Sequence, residues 1–248
     1  MHILFTKEEI DKNLIVKFSR TNKVSHCPIL ISKKKEYPKI DFSKFTYLVL
    51  TSSNALRFLN FSNELLNLNC FCVGSQTAEL AKSKGFKSVI SAGGNYSSLK
   101  NIFFNTVENK KSRILYLRGE YVSHDLEKEF EKEGYNIFSL INYTSTINMN
   151  FSKQIIPIIN NDESKTIFLY SKRSSDAFAK VILSNNLSIK CKLICLRVIS
   201  ENALNPLKKI NDSDHKNYFV NHSLYQEEKF WSDVFQNYLT IFIKENNF

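Results

Sequence analysis

Eight hydroxyl side chains, on Thr6, Ser52, Ser53, Ser75, Thr77, Ser97, Ser171 and Ser200, stand where a short apolar run gives way to an amphipathic stretch. In an open α/β sheet such junctions lie at the carboxyl ends of strands, where ligands bind. The helix that follows offers unpaired N–H groups and a partial positive charge, which suit a carboxylate or a phosphate. Any one of these residues is as readily an ordinary N-cap, worth about 1 kcal/mol to its helix. Four or more of them around one cleft would instead make a polyanion site.

Other chemistries lack their residues. There is no G-x-x-x-x-G-K-[ST] loop, and Gly93-Gly94 lacks a dinucleotide fingerprint. No G-x-S-x-G elbow occurs, and the five histidines sit in unrelated contexts. Glu127, Glu129, Glu131 and Glu133 share a lysine-dense stretch and read as a solvated helix face. Five cysteines, an odd number, argue against a disulfide framework. No histidine stands at metal-ligand spacing from Cys70 and Cys72 or from Cys191 and Cys195, so no metal site is expected and the thiols read as small core hydrophobes. An enzyme built from this sequence would work without metal, nucleotide or a strong acid–base pair.

The elements that must position these residues alternate. Strands are expected over 2–5, 47–50, 70–73, 87–90, 113–117, 166–170, 193–196 and 218–220. Helices are expected over 8–22 (with a Thr6/Glu9 capping box), after Ser53 with Ala55, Leu56, Phe58 and Leu59, over 75–84, from Ser97 or Ser98, 123–133, from Ser171, 200–208 and 227–243. Gly85 and Gly134 close two of them, each followed by an aromatic residue and a strand. This alternation predicts an α/β fold with mostly parallel strands.

The pattern also repeats. Leu50-Thr51-Ser52 matches Leu169-Tyr170-Ser171, 72–77 matches 195–200, and 3–7 echoes 115–119. Two similar domains with a cleft between them follow. The 248 residues, 43% apolar, suffice to bury a core. The longest apolar run, 239–243, is far short of the roughly 20 residues of a membrane span. Lys7, Glu8 and Glu9 interrupt any signal-peptide core. A soluble, cytoplasmic, monomeric protein is expected. The net charge of +10 rests on 28 lysines against six arginines; it reads either as a solvating lysine coat or as a field that draws an anionic partner. No basic stripe interleaved with aromatics marks a nucleic-acid partner. From the residues alone, an enzyme and a noncatalytic module closing on a small polyanion stand level.

Three segments carry a resemblance. Thr51-Ser52-Ser53-Asn54-Ala55-Leu56-Arg57-Phe58, Val73-Gly74-Ser75-Gln76-Thr77-Ala78, and Leu115-Tyr116-Leu117-Arg118-Gly119 followed by Asn142-Tyr143 resemble, in order and spacing, the uroporphyrinogen-III synthase family. The resemblance implies two flavodoxin-like parallel-sheet domains joined by a two-stranded β-ladder. One would be discontinuous (1–32 with 144–248) and the other inserted (33–143), with the ladder near 28–32 and 140–144. It implies cyclisation of the linear tetrapyrrole hydroxymethylbilane with inversion of its last ring and loss of water, without a cofactor. Tyr143 matches the family's proposed acid. Thr6, Lys7, Ser52, Ser53, Gly74, Ser75, Thr77, Ser97 and Ser171 would hold the substrate's carboxylates, with Lys7 where the family often has arginine. Arg197-Val198-Ile199-Ser200 replaces the expected Gly-rich turn, which weakens Ser200 and makes Arg173 and Arg197 candidates for charged donors.

Overall fold

A computed structural model describes residues 1–10, 12–93, 96–198, 201–210 and 218–220. In chain order its first elements are β1 (His2–Phe5), α1 (Lys12–Ser19), β2 (Lys23–His26), β3 (Leu30–Lys34), β4 (Tyr47–Leu50), α2 (Asn54–Arg57) and α3 (Asn63–Leu66). Then come β5 (Asn69–Cys72), α4 (Ser75–Ser83), β6 (Ser88–Ser91), α5 (Tyr96–Thr106), β7 (Arg113–Gly119), α6 (Leu126–Lys132) and β8 (Asn136–Ile147). The last are α7 (Phe151–Asn160), β9 (Lys165–Leu169), α8 (Lys172–Ser184), β10 (Ile194–Val198), α9 (Glu201–Leu204) and β11 (Tyr218–Val220). Two compact units result: Met1–Ile31 with the described residues from Thr146 onward, and Ser32–Ser145.

The first unit holds a five-stranded sheet in the order β11-β10-β9-β1-β2, parallel at every pairing. All five residues of β9 are buried, as in a central strand covered on both faces. Alternate residues serve opposite faces. Leu4, Ile167 and Leu169 pack with Phe151, Ile155, Ile159 and Phe178 on one side. Ile3, Phe5 and Phe168 pack with Phe18 on the other, with Phe5 and Phe168 stacked at 5.1 Å.

The second unit holds the order β3-β8-β7-β4-β5-β6. From β8 to β6 the pairings are parallel. Leu48, Leu50, Cys70, Cys72, Leu115 and Leu117 face one core, while Val49, Phe71, Ile114 and Tyr116 face another centred on Phe103 and Phe130. Strand β3 lies beside β8, and the bonds Lys35 N–H to Asn142 O (3.0 Å) and Asn148 N–H to Ile29 O (2.8 Å) bracket an antiparallel ladder between them. The sequence repeat carries over into the sheets. Pairing β9 with β4, β10 with β5 and β1 with β7 turns one strand order into the other, with the chain entering each sheet at a different strand.

Several boundaries move. Helix α1 begins at Lys12, and the Thr6/Glu9 capping box does not start it, because the Thr6 hydroxyl donates to the Phe168 carbonyl at 2.5 Å. Helix α5 already includes Tyr96, which puts Ser97 and Ser98 in its first turn. Helix α6 starts at Leu126, capped by Asp125, whose carboxylate accepts the Lys128 amide at 3.2 Å. Helix α7 and strand β2 occupy stretches given no element from sequence. The helix expected over 200–208 is one turn followed by a 3-10 turn over Asn205–Lys209, where Pro206 cannot continue the α ladder. Gly85 and Gly134 close α4 and α6 at φ of +96° and +84°. The helix expected over 227–243 lies outside the described residues. Among those residues, no helix is long and apolar enough to cross a membrane.

Candidate active site

In the second unit, parallel strands bring the turns after β4, β5, β6 and β7 to one edge of the sheet. The chain leaves β4 toward β5 and β6, then crosses back to β7 on the other side, so the strand order reverses between β4 and β7. That reversal opens a crevice at the carboxyl edge. Thr51, Ser52, Ser53, Gly119 and Tyr143 stand around it.

Tyr143 owes its place to a register slip. Arg118 pairs with Ile141 but Gly119 pairs with Tyr143, leaving Asn142 as the extra residue of a bulge. The Asn142 side chain is fully buried and donates to the Ala55 carbonyl at 2.6 Å, tying β8 to the short helix α2. The Tyr143 carbonyl accepts the Glu120 amide at 2.9 Å. The Glu120 carboxylate in turn takes Lys35 Nζ at 2.5 Å and the Thr144 hydroxyl at 2.6 Å. The Tyr143 ring lies on Phe58, centroids 6.2 Å apart, and crosses the face of Gly119. A Cβ at Gly119 would fall 2.6 Å from Tyr143 Cζ, so only glycine permits this approach.

Burial pushes the Tyr143 phenol above its ordinary value, while hydrogen bonds from the Ser52 hydroxyl and the Gly119 amide pull it back. Ser52 Oγ also accepts the Asn54 amide at 3.2 Å. The phenol is therefore neutral near pH 7, oriented at its oxygen, and able to give up a proton. Tyr116 stands beside it on β7, its hydroxyl 3.4 Å from Thr51 Oγ1 and its pKa pushed up to about 12 by burial.

The remaining hydroxyls divide by use. Ser53 is the N-cap of α2 but makes no capping bond. Gly74 is the N-cap of α4 in extended backbone and brings no side chain, so Ser75 and buried Thr77 begin that helix without a side-chain acceptor on its first amides. Ser97 is exposed in the first turn of α5. These six residues, Ser52, Ser53, Gly74, Ser75, Thr77 and Ser97, share the carboxyl edge with Tyr143. Beyond β7 the edge continues into a depression of about 460 Å³ lined by Arg118, Ser123, His124, the Asp125–Lys128 pair, Glu127 and Glu131.

The first unit assembles its own edge. Its strand order reverses between β1 and β9, and there Thr6 bridges the two strands through the Phe168 carbonyl. Lys7 is half-buried, its carbonyl 2.7 Å from His26 Nε2. Ser171 caps α8 in a reciprocal box with Ser174, its Oγ accepting the Ser174 amide at 3.1 Å. Arg173 is half-buried in the following turn. Arg197 is buried on β10, which removes it from a solvated face. Ser200 lies outside the described residues. Sequence reasoning missed Gly119, Tyr116 and Asn142 as parts of the site. The quoted segment around Tyr116 and Gly119 and the Asn142-Tyr143 pair were the available signals, but a bulge leaves no mark in a single sequence.

Three comparisons bear on this arrangement. The profile of the family described as uroporphyrinogen-III synthase HemD matches residues 22–213, a stretch that takes in Tyr143 and Ser171 and leaves out Thr6 and Lys7. No curated protein sequence matches the chain. The structure resembles the uroporphyrinogen-III synthetase of Helicobacter pylori 26695, with a TM-score of 0.57 at 14% identity over 84% of this chain and 88% of that one. It also resembles a mutant uroporphyrinogen III synthase of the extreme thermophile Thermus thermophilus, with a TM-score of 0.59 at 10% identity over 97% and 99%. At these identities the structural likeness speaks for the fold.

Proposed function

Because the chain belongs to the uroporphyrinogen-III synthase family, we propose that it cyclises hydroxymethylbilane to uroporphyrinogen III, inverting the last ring and releasing water. The observation that carries this reading is the buried Tyr143 phenol, its ring lying across Gly119 and on Phe58 at the carboxyl edge of the second sheet.

The proposed chemistry starts with that phenol. Tyr143 gives its proton to the hydroxymethyl oxygen as the C–O bond breaks, and the bonding pair leaves with oxygen as water. The adjacent pyrrole nitrogen supplies electrons to the carbon left behind. That carbon is attacked from the substituted position of the last ring, giving a spiro intermediate that fragments and recloses inverted. A ring proton released at final closure returns to the Tyr143 oxygen, so the enzyme ends as it began. A phenol buried enough to stay neutral yet hydrogen-bonded at its oxygen suits both transfers.

The substrate's carboxylates are taken by the first amides of α4 at Gly74, Ser75 and Thr77, with Ser53 and Ser97 as further donors. The start of α4 supports this, since its N-cap, Gly74, brings no side-chain acceptor. Thr6 and Ser171 are proposed only as backbone partners, because each hydroxyl already serves its own unit. Spontaneous closure without inversion competes, so the main task of the site is to hold the chain in one fold. The reading extends to a cytoplasmic monomer with a free polycarboxylate as its small-molecule substrate and no cofactor. The test is to incubate the purified protein with freshly generated hydroxymethylbilane and separate the isomers. Type III product is expected. A type I product formed at the spontaneous rate, or merely slowed, would make the protein a noncatalytic polyanion binder.

A further inference from the structure

We propose that Tyr96 is a specificity-determining residue of this site, its phenol donating a hydrogen bond to one carboxylate arm of the substrate; this rests on the synthase reading above. Tyr96 opens α5 and packs its ring against the core around Phe103 while keeping its hydroxyl at the carboxyl edge of the sheet. The Ser123 hydroxyl, from the loop after β7, donates to the Tyr96 oxygen at 3.1 Å. The His124 ring lies 4.4 Å from the Tyr96 ring. With its oxygen accepting from Ser123, the phenol directs its own proton elsewhere, and among the described residues no side chain or carbonyl accepts it.

A further observation sets this phenol beside the depression. Ser123 and His124 line the depression beside Arg118, the residue next to Gly119, on which the Tyr143 ring rests. Arg118 favours an anion there. Among the acids lining the depression, Asp125 is paired with Lys128 at 2.9 Å. One fixed arm near Tyr143 limits how the flexible chain can fold and so which macrocycle it closes.

The test compares wild type, Tyr96→Phe and Ser123→Ala with hydroxymethylbilane, reading KM, kcat, isomer ratio and unfolding midpoint. Tyr96→Phe keeps the ring against His124 and is expected to fold as wild type does. Its KM should rise about threefold to tenfold, the worth of one hydrogen bond, with kcat within about twofold and a larger type I fraction. Ser123→Ala should shift KM in the same direction by less. Unchanged KM and isomer ratio in Tyr96→Phe, beside a wild type that makes type III, would overturn the role of Tyr96 alone. A kcat loss that merely follows a lowered unfolding midpoint would assign Tyr96 to packing and overturn it too. A wild type that makes only type I would remove the synthase reading itself, and this role with it.

Discussion

The proposed chemistry rests on a single oxygen at Tyr143, and two substitutions separate its proton from its position. Tyr143→Phe keeps the ring on Phe58 and across Gly119, losing only the hydroxyl. Turnover is expected to fall roughly tenfold, at the foot of the roughly 100- to 10,000-fold span of general acids, because a phenol is a weak one. Stability should change by no more than about 1 kcal/mol, measured by denaturant unfolding. Wild-type turnover would remove Tyr143 from the reaction. Gly119→Ala instead leaves the phenol in place chemically but drives a methyl to within 2.6 Å of Cζ. The ring must move, at about 1–3 kcal/mol of strain, and activity should fall at least as far as in Tyr143→Phe. Equal activity in Gly119→Ala and wild type would mean the ring's position does not matter. Tyr143 was singled out from the sequence only through the resemblance; its neighbours were not, because Ser52 and Gly119 approach it from the ends of two other strands beside a bulge.

Among the elements, the strands were the most legible, because central parallel strands are unbroken apolar runs: 47–50, 113–117 and 166–170 all appear with at most small shifts of their ends. Helix α7 was invisible for the opposite reason. Pro157 sits in its interior, yet Phe151, Ile155 and Ile159 recur at four-residue spacing and are buried, so packing overrides a poor local propensity. Capping could be predicted but not its use: Ser171 and Ser53 look alike in sequence, and only Ser171 caps its helix through its side chain. Ser171→Ala should therefore cost about 1 kcal/mol of stability while leaving KM unchanged, whereas a raised KM with unchanged stability would reassign its hydroxyl to the substrate. Strand β1 carries a second test. His2 is buried, with Nε2 2.8 Å from Ser25 Oγ, and its pKa is lowered by burial first and by Lys23 next. The unfolded chain, with histidine near 6.5, then binds the proton before the folded one does. The contribution of neutral His2 is thus full above that value and is lost as pH falls through the lower folded value. Between pH 7 and 5 the denaturant midpoint of wild type should drop more steeply than that of His2→Gln; parallel slopes would exclude His2 as the cause.

Taken whole, the molecule keeps in three dimensions a repetition that the sequence shows only as short echoes. Matching 50–52 with 169–171, 72–77 with 195–200 and 3–7 with 115–119 pairs β4 with β9, β5 with β10 and β7 with β1, and the two sheets have the same spatial order under that pairing. The chain enters them at different strands, which is why the halves do not align from end to end. Net charge is the other property of the whole chain, and the sequence left its meaning divided between a lysine coat and a field that attracts an anion. Salt separates the two. Screening shortens the reach of the field from about 10 Å at 0.1 M to about 3 Å at 1 M, whereas short hydrogen bonds from helix amides and buried hydroxyls persist. If the +10 charge draws in the substrate's carboxylates, KM should rise several-fold between low and high salt while kcat and the isomer ratio stay fixed, because attraction acts on capture and the hydrogen-bonded site acts on folding the captured chain. A KM independent of salt would assign the lysines to solvation and leave recognition to the sheet edges. A change in isomer ratio with salt would instead mean that exposed cations, rather than Tyr143 and the amides around it, hold the substrate in the shape that closes.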